Sequence, residues 1–258
     1  TLRCLQTVDE EKINYELAEA LVRYIADELE EGAILVFLPG MAEIRTLYDM
    51  LAADPRAHAR CGAAEGEAEP EKFLLIPLHS TLSKEEQHLT FSKPPPGVRK
   101  VVLSTNIAET SITIDDVVYV VDCGRAKENR YDPATRMASL EVAWISRASA
   151  RQRRGRAGRV REGYCFHLFS SEKEAELADF TQAEILRVPL EQLCLQIKAL
   201  RLGDVIPFLQ KALEPPSNTA IQLALAALQE LSAVDEAGEL TPLGHHVAEL
   251  PVDARIGK

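Results

Sequence analysis

Short, unbroken apolar runs, each followed by a turn and then by a segment of helical periodicity, constrain this chain most. Ala33-Ile-Leu-Val-Phe-Leu38 ends at Pro39-Gly40, and similar runs occupy Phe73 to Pro77, Lys100 to Thr105 and Val117 to Asp122. A strand without polar alternation is buried on both faces, as in a parallel sheet covered by helices. Before and between the runs, Ile13, Leu17, Ala20, Leu21, Tyr24 and Leu29 recur at three-to-four spacing, and helices also fit Met41 to Ala53 and Lys84 to Ser92. Thr7-Val-Asp-Glu10 has the form of a capping box for the first helix. The alternation predicts an α/β fold, a parallel sheet sandwiched by helices. Ligands of such sheets sit at the carboxyl ends of the strands, so the loops after Leu38, Pro77, Thr105 and Asp122 form the expected working edge.

The pattern changes after Asp122. A β-hairpin is expected over about residues 124–143, around Asp132-Pro133, and Tyr164-Cys-Phe-His-Leu-Phe169 reads as a last strand. Beyond residue 171 the alternation stops. Helices fit Val188 to Leu202, Thr219 to Leu231 and Thr241 to Leu250, with a small hairpin at Val234 to Leu240, which together predict a mostly helical winged-helix domain. The 258 residues suffice for two modest domains, expected at 1–175 and 176–258. Residues 54–72 are rich in Ala, Gly and Glu without periodicity and read as a surface loop.

Charge is distributed unevenly. The whole chain carries −11, which would argue against nucleic acid, but residues 91–170 hold 14 basic and 8 acidic side chains, whereas residues 1–90 hold 8 and 18. Within this basic island Arg147, Arg151, Arg153, Arg154, Arg156, Arg159 and Arg161 fall in a stretch with no acid. A solvated face is the ordinary reading of such a run. If Ala148 to Val160 is one helix, however, Gln152, Arg156 and Arg159 share a face at i, i+4 and i+7. Arg147, Arg151 and Arg154 then form a second stripe. Gly155 and Gly158 weaken a helix by about 1 kcal/mol each and call for close approach of a ligand or partner backbone. Guanidinium forks suit phosphate, and two of them beside a glutamine amide meet the positioning and charge needs of phosphoryl transfer. Contact with a nucleic-acid backbone is the alternative.

These residues carry a resemblance. Gln152-Arg-Arg-Gly-Arg-Ala-Gly-Arg159 resembles motif VI of superfamily 2 helicases, and Ser104-Thr-Asn-Ile-Ala-Glu-Thr-Ser-Ile-Thr-Ile-Asp115 resembles motif V in its DEAH/RHA form. Ile34 to Gly40 looks like motif IV and Leu78-His-Ser-Thr-Leu82 like motif IVa, in family order and spacing. Viral helicases of the NS3 type share the motif VI pattern but differ at Asn106-Ile-Ala-Glu-Thr110. Ile185 to Leu190 and Leu240 to Gly244 resemble the winged-helix domain that follows the second RecA-like domain in DEAH/RHA proteins, so the resemblance covers essentially the whole chain.

The resemblance implies the second RecA-like domain plus winged helix of an RHA-like RNA helicase. Gln152 would orient the hydrolytic water, and Arg156 and Arg159 would be arginine fingers. Phe91 would stack on adenine, Ser111 would lie in the nucleotide-sensing loop, and Asp115 would bond the ribose. Outside the family, Phe91 could be core and Asp115 a turn acid. Ser80, Thr81, Thr105, Asn106 and Thr110 would hold the RNA backbone. The hairpin with Lys127, Arg130, Tyr131 and Arg136 would be the strand-separating one.

Neither G-x-x-x-x-G-K-[ST] nor Asp-Glu-Ala-His occurs in the sequence. In the family both belong to the first RecA-like domain, so ATP would bind between two domains, the magnesium ligands would lie on the first, and this chain alone would not hydrolyse ATP. No metal site is expected within the chain, and the five cysteines form no C-x-x-C pair. No run is long enough to span a membrane, and no signal peptide is recognisable. A monomer in the cytosol or nucleus is expected, with single-stranded RNA and the other domains of the same protein as partners. The rivals are a non-catalytic RNA- or protein-binding module and a DNA-directed helicase, since nothing in the motifs reads a 2′-hydroxyl.

Overall fold

The apolar runs become parallel strands. The computed structural model describes residues 9–53, 73–132 and 137–250. Within them the chain runs α1 (Tyr15–Glu28), β1 (Ala33–Phe37), α2 (Met41–Ala52), β2 (Phe73–Leu78), α3 (Lys84–His88) with a 3-10 turn at Leu89–Phe91, β3 (Arg99–Ser104), α4 (Ile107–Thr110), β4 (Val117–Asp122), β5 (Arg125–Asp132), β6 (Met137–Trp144), α5 (Arg147–Arg154) and β7 (Tyr164–His167). It continues through α6 (Ser171–Glu176), a 3-10 turn at Glu184–Leu186, α7 (Glu191–Ala199), α8 (Val205–Leu209), α9 (Asn218–Glu230) and α10 (Pro242–Glu249).

Five strands form one parallel sheet in the order β2-β3-β1-β4-β7. Every residue of β1 and β4 is buried, because helices cover both faces. On one face Ala18, Val22 and Ile25 of α1 and Ile44, Leu47 and Leu51 of α2 pack with Ile34, Val36, Val101, Leu103 and Val121. On the other, Ala108 of α4 and Ile114 pack with Leu35, Phe37, Val102 and Val120. The α/β sandwich expected from the unbroken runs is therefore present.

The boundaries differ from expectation in two helices. The first starts at Tyr15, where Asn14 Oδ1 accepts the Leu17 N–H at 2.9 Å. The cap is thus Asn14 and not the Thr7 box, of which Thr7 and Val8 lie outside the described residues. The second, expected over Lys84 to Ser92, stops being α-helical at His88 and tightens into the 3-10 turn. Its start carries a reciprocal capping box between Ser83 and Glu86. The 54–72 loop also lies outside the described residues.

Two compact units emerge: Thr1–Lys127 with Val142–Thr181, and Glu128–Glu141 with Gln182–Lys258. The first holds the sheet. The second groups the outer part of the hairpin with the C-terminal helices: Arg187 Nη1 lies 3.7 Å from Glu128 Oε2 and donates to the Asn129 carbonyl at 3.5 Å. Its core joins Cys194, Leu195 and Ile197 of α7 to Ile221 and Leu228 of α9 and Val247 of α10. A single antiparallel bridge, Val234 to Leu240, forms the small hairpin expected there. Among the described residues no helix is long and apolar enough to cross a membrane.

Candidate functional site

The arginine segment is only partly helical. Ser146 Oγ accepts the Ser149 N–H at 3.1 Å to start α5, which ends at Arg154 rather than continuing to Val160. After it, the N–H groups of Arg156 and Ala157 reach back to the carbonyls of Arg153 and Arg154 at 3.0 and 3.1 Å, a tighter turn. Gly158 then adopts φ +78°, a left-handed conformation that a side chain resists. The expected stripe of Gln152, Arg156 and Arg159 on one helix is thus corrected: Gln152 lies in the last turn of α5 and both arginines lie beyond it. Gly158 is accounted for by its own turn, without a ligand backbone pressed against a helix.

Arg159 is nevertheless held on motif V. Arg159 Nη1 donates to Thr113 Oγ1 at 3.1 Å, and Arg156 Nε donates to the Gln152 carbonyl at 3.4 Å. Burial and the neighbouring Arg159 charge lower the Arg156 pKa, opposed by Glu109. A guanidinium keeps its proton through such shifts. Among the described residues, neither Arg156 nor Arg159 has a carboxylate within ion-pair distance, and Gln152 is exposed.

Arg153, which belonged to neither expected stripe, is fully buried. It pairs with Asp122 at 2.8 Å and Glu109 at 3.1 Å, and its guanidinium lies 4.8 Å from the centre of the Phe37 ring. Sequence reasoning missed this group because a buried arginine and a solvated one look alike in a run of seven. The available signal was an acid in each partner segment, Asp122 at the end of an apolar strand and Glu109 within motif V.

The remaining residues separate onto two edges of the sheet. Ser80 and Thr81 follow β2, and Thr105 and Asn106 follow the adjacent β3, so all four lie at the carboxyl edge, with Thr110 one turn further on. Ser80, Thr81, Asn106 and Thr110 are exposed. Thr105 is buried, its N–H bonded to the Leu78 carbonyl at 3.3 Å and its carbonyl accepting the Ala108 N–H at 3.3 Å. Lys127 is half-buried and paired with Glu43 of α2 at 3.0 Å, not projecting freely from the hairpin; Arg130 is exposed beside Glu141 at 3.3 Å. Arg136 lies outside the described residues.

Asp115, by contrast, precedes β4 at the amino edge, about 20 Å away by strand length. There it lines a cavity of about 1110 Å³ together with Lys93, Arg99, Asp116 and Arg161. Phe91 is 52% exposed in the 3-10 turn just before Lys93, so it is not core; its ring centre lies 5.6 Å from that of His88. Ser111 is the exposed cap that ends α4, between the two edges. The candidate residues therefore lie at two edges of the sheet rather than at the carboxyl edge alone.

Comparison with known proteins identifies the family. The family described as "Helicase conserved C-terminal domain" matches residues 16–161, and "Helicase associated domain (HA2), winged-helix" matches residues 224–252. The chain belongs to the helicase C-terminal domain family, in its DEAH/RHA branch. This helicase domain is 50% identical to "ATP-dependent DNA/RNA helicase DHX36" of Mus musculus over all of its length and 25% of that protein. It is 51% identical to the chloroplastic "DExH-box ATP-dependent RNA helicase DExH4" of Arabidopsis thaliana over 95% of its length and 17% of that protein. The crystal structure of the Escherichia coli DEAH/RHA helicase HrpB matches 98% of the chain and 29% of that structure, with a TM-score of 0.77 and 33% identity. The helicase domain thus spans about a quarter of the length of these DHX36 relatives.

Burial pushes the Cys123 and Cys194 thiols up to about 12, too high for a thiolate nucleophile near neutral pH.

Proposed function

We propose that this chain is the second half of the core of an ATP-dependent RNA helicase, supplying arginine fingers, part of the nucleotide pocket and one edge of RNA-backbone contacts. The observation that carries this reading is the pair Arg156 and Arg159, neither of which has a carboxylate within ion-pair distance among the described residues, with Arg159 bonded to Thr113 of the motif V loop. Cations kept unneutralised and next to each other fit a polyphosphate better than a structural role. ATP, with magnesium ligated by another domain, would supply the transferable phosphoryl group. Arg156 and Arg159 would neutralise the charge growing on it, and Gln152 would orient the attacking water. Phe91 and Asp115 would hold the base and ribose from the amino edge. Ser80, Thr81, Asn106 and Thr110 would position the RNA backbone at the carboxyl edge without reading sequence.

This division gives the sheet two tasks on opposite edges, and closure of the two core domains on ATP would then move the strand. The test uses the full-length protein. Arg156→Ala and Arg159→Ala should each cut RNA-stimulated ATP hydrolysis by about 10³-fold or more while leaving RNA affinity in place. An equal loss of RNA affinity with a shallower salt slope would favour a non-catalytic binding module instead. The chain alone should not hydrolyse ATP, because its sequence contains no phosphate-cradling loop; metal-dependent turnover by the pure chain would refute that. Single-stranded DNA competing equally with RNA would extend the substrate class, as the name of the mouse relative does for that protein.

A further inference from the structure

Glu109 and the Asp122–Arg125 segment, distant in sequence from α5, meet at the side chain of Arg153. Its Nε donates to Glu109 Oε2 at 3.1 Å, and its Nη1 donates both to Asp122 Oδ1 at 2.8 Å and to the Arg125 carbonyl at 3.2 Å. Glu109 sits in α4, between the carboxyl-edge residues Thr105 and Asn106 and the loop that carries Ser111 and Thr113. Asp122 ends β4, and its second oxygen faces His167 Nδ1 of β7 at 3.5 Å. Arg125 opens β5 at the root of the hairpin. The carbonyl of Arg153 itself accepts the N–H of Arg156 at 3.0 Å. One residue therefore connects motif V, the end of a central strand, the hairpin root and the half-buried Arg156.

Stability alone is a poor reason for this cluster. A buried ion pair gains little over apolar packing of the same volume, and the Phe37 ring already offers an apolar wall. What a planar, permanently charged fork provides is fixed geometry: two carboxylates from different segments must keep their spacing to satisfy it. A displacement of α4 or of the hairpin root therefore pulls on Arg153 and, one hydrogen bond later, on Arg156.

We propose that Arg153 is a positioning residue for phosphoryl transfer: with Glu109 and Asp122 it holds Gln152 and Arg156 in register and couples that register to α4 and the hairpin root. This rests on the function proposed above. The test again uses the full-length protein, with steady-state ATP hydrolysis in the presence and absence of RNA. Glu109→Gln keeps the side-chain size and the Arg153–Asp122 pair while removing one charge. It should lower RNA-stimulated kcat by about 10- to 100-fold, with KM for ATP and RNA affinity unchanged within about threefold. Arg153→Lys, whose single ammonium cannot fork between two carboxylates, should show the same split with a larger loss.

Turnover by the wild type and its disappearance in Arg156→Ala judge the functional reading separately. If both hold and Glu109→Gln turns over at the wild-type rate, the coupling role alone falls. It also falls if KM rises in proportion to the loss of kcat, which would place the effect in ATP binding. Loss of a cooperative melting transition in both variants would reduce the cluster to a folding element and overturn the proposal as well.

Discussion

Arg99 Nη1 donates to the Glu30 carbonyl at 2.7 Å, closing the end of α1 from the start of a strand 69 residues later in the chain. The same guanidinium reaches the carbonyls of Ile25, Ala26, Leu29 and Gly32 at 2.9 to 3.3 Å. The last turn of α1 contains no basic residue of its own, so Arg99 supplies both the missing donors and the charge that favours a helix C-terminus. Arg99→Met should cost about 2–3 kcal/mol in urea unfolding, and Arg99→Lys should recover only part of it. A loss below about 0.5 kcal/mol would show that water replaces the cap at no cost.

Stability should fall at both ends of the pH range through one buried pair. The Asp122 carboxylate facing Nδ1, with a smaller contribution from Cys165, raises the His167 pKa from 6.5 to about 10 against the effect of burial. A raised pKa means that the stabilisation is complete below pH 6.5 and disappears as the pH climbs to about 10. For Asp122 burial opposes ionisation, but Arg153 and the bonds from His167 and Gly124 outweigh it and hold the pKa below 3.8. Its contribution is complete above 3.8 and is lost on acidification through the lower folded value. Unfolding free energies measured across this range should show an alkaline decline that His167→Gln flattens; an unchanged slope in that variant would contradict the pairing.

Gly158 and Gly238 both have a left-handed φ, +78° and +83°, but only Gly158 leads into Arg159. An alanine at either should cost about 1–2 kcal/mol from the left-handed strain. Gly158→Ala should in addition lower ATP turnover by displacing Arg159 from Thr113. Gly238→Ala, in the small hairpin of the second unit, should leave turnover unchanged. Equal turnover in both variants would detach the Gly158 turn from the chemistry.

Lys127 and Arg130 differ in how much charge they can offer a phosphate. Lys127 is half-buried and neutralised by Glu43 at 3.0 Å, whereas the exposed Arg130 has Glu141 only at 3.3 Å on the neighbouring strand. Arg130→Ala should reduce the slope of log affinity against log salt by about one and weaken all sequences alike. Lys127→Ala should leave the slope nearly unchanged. The reverse outcome would mean that RNA displaces Glu43 from Lys127.

Much of the architecture was legible because it depends on local pattern. Ala33 to Leu38 and Val117 to Asp122 are short, rich in β-branched residues and bounded by turn residues, which reads as strands covered on both faces, and the motif V and VI residues keep their identity without a fold. The arginine helix was misread for the same reason: period and charge predicted a stripe to Arg159, while Gly155 and the left-handed Gly158 ended it at Arg154. That stop was present in the sequence, but propensity alone puts the cost of each glycine at about 1 kcal/mol, too little to exclude a helix.

Amino-acid order by itself determined the sheet, the helices that cover it and the membership of Gln152, Arg156 and Arg159 in one motif. Only the tertiary structure decided which arginine of the run would be buried. Seven guanidinium groups are equivalent in a string of letters, and desolvating one is prohibitive unless carboxylates arrive to meet it. Asp122 and Glu109 come from 31 and 44 residues away, brought to Arg153 by β4 and α4, and that encounter exists only once the sheet has formed.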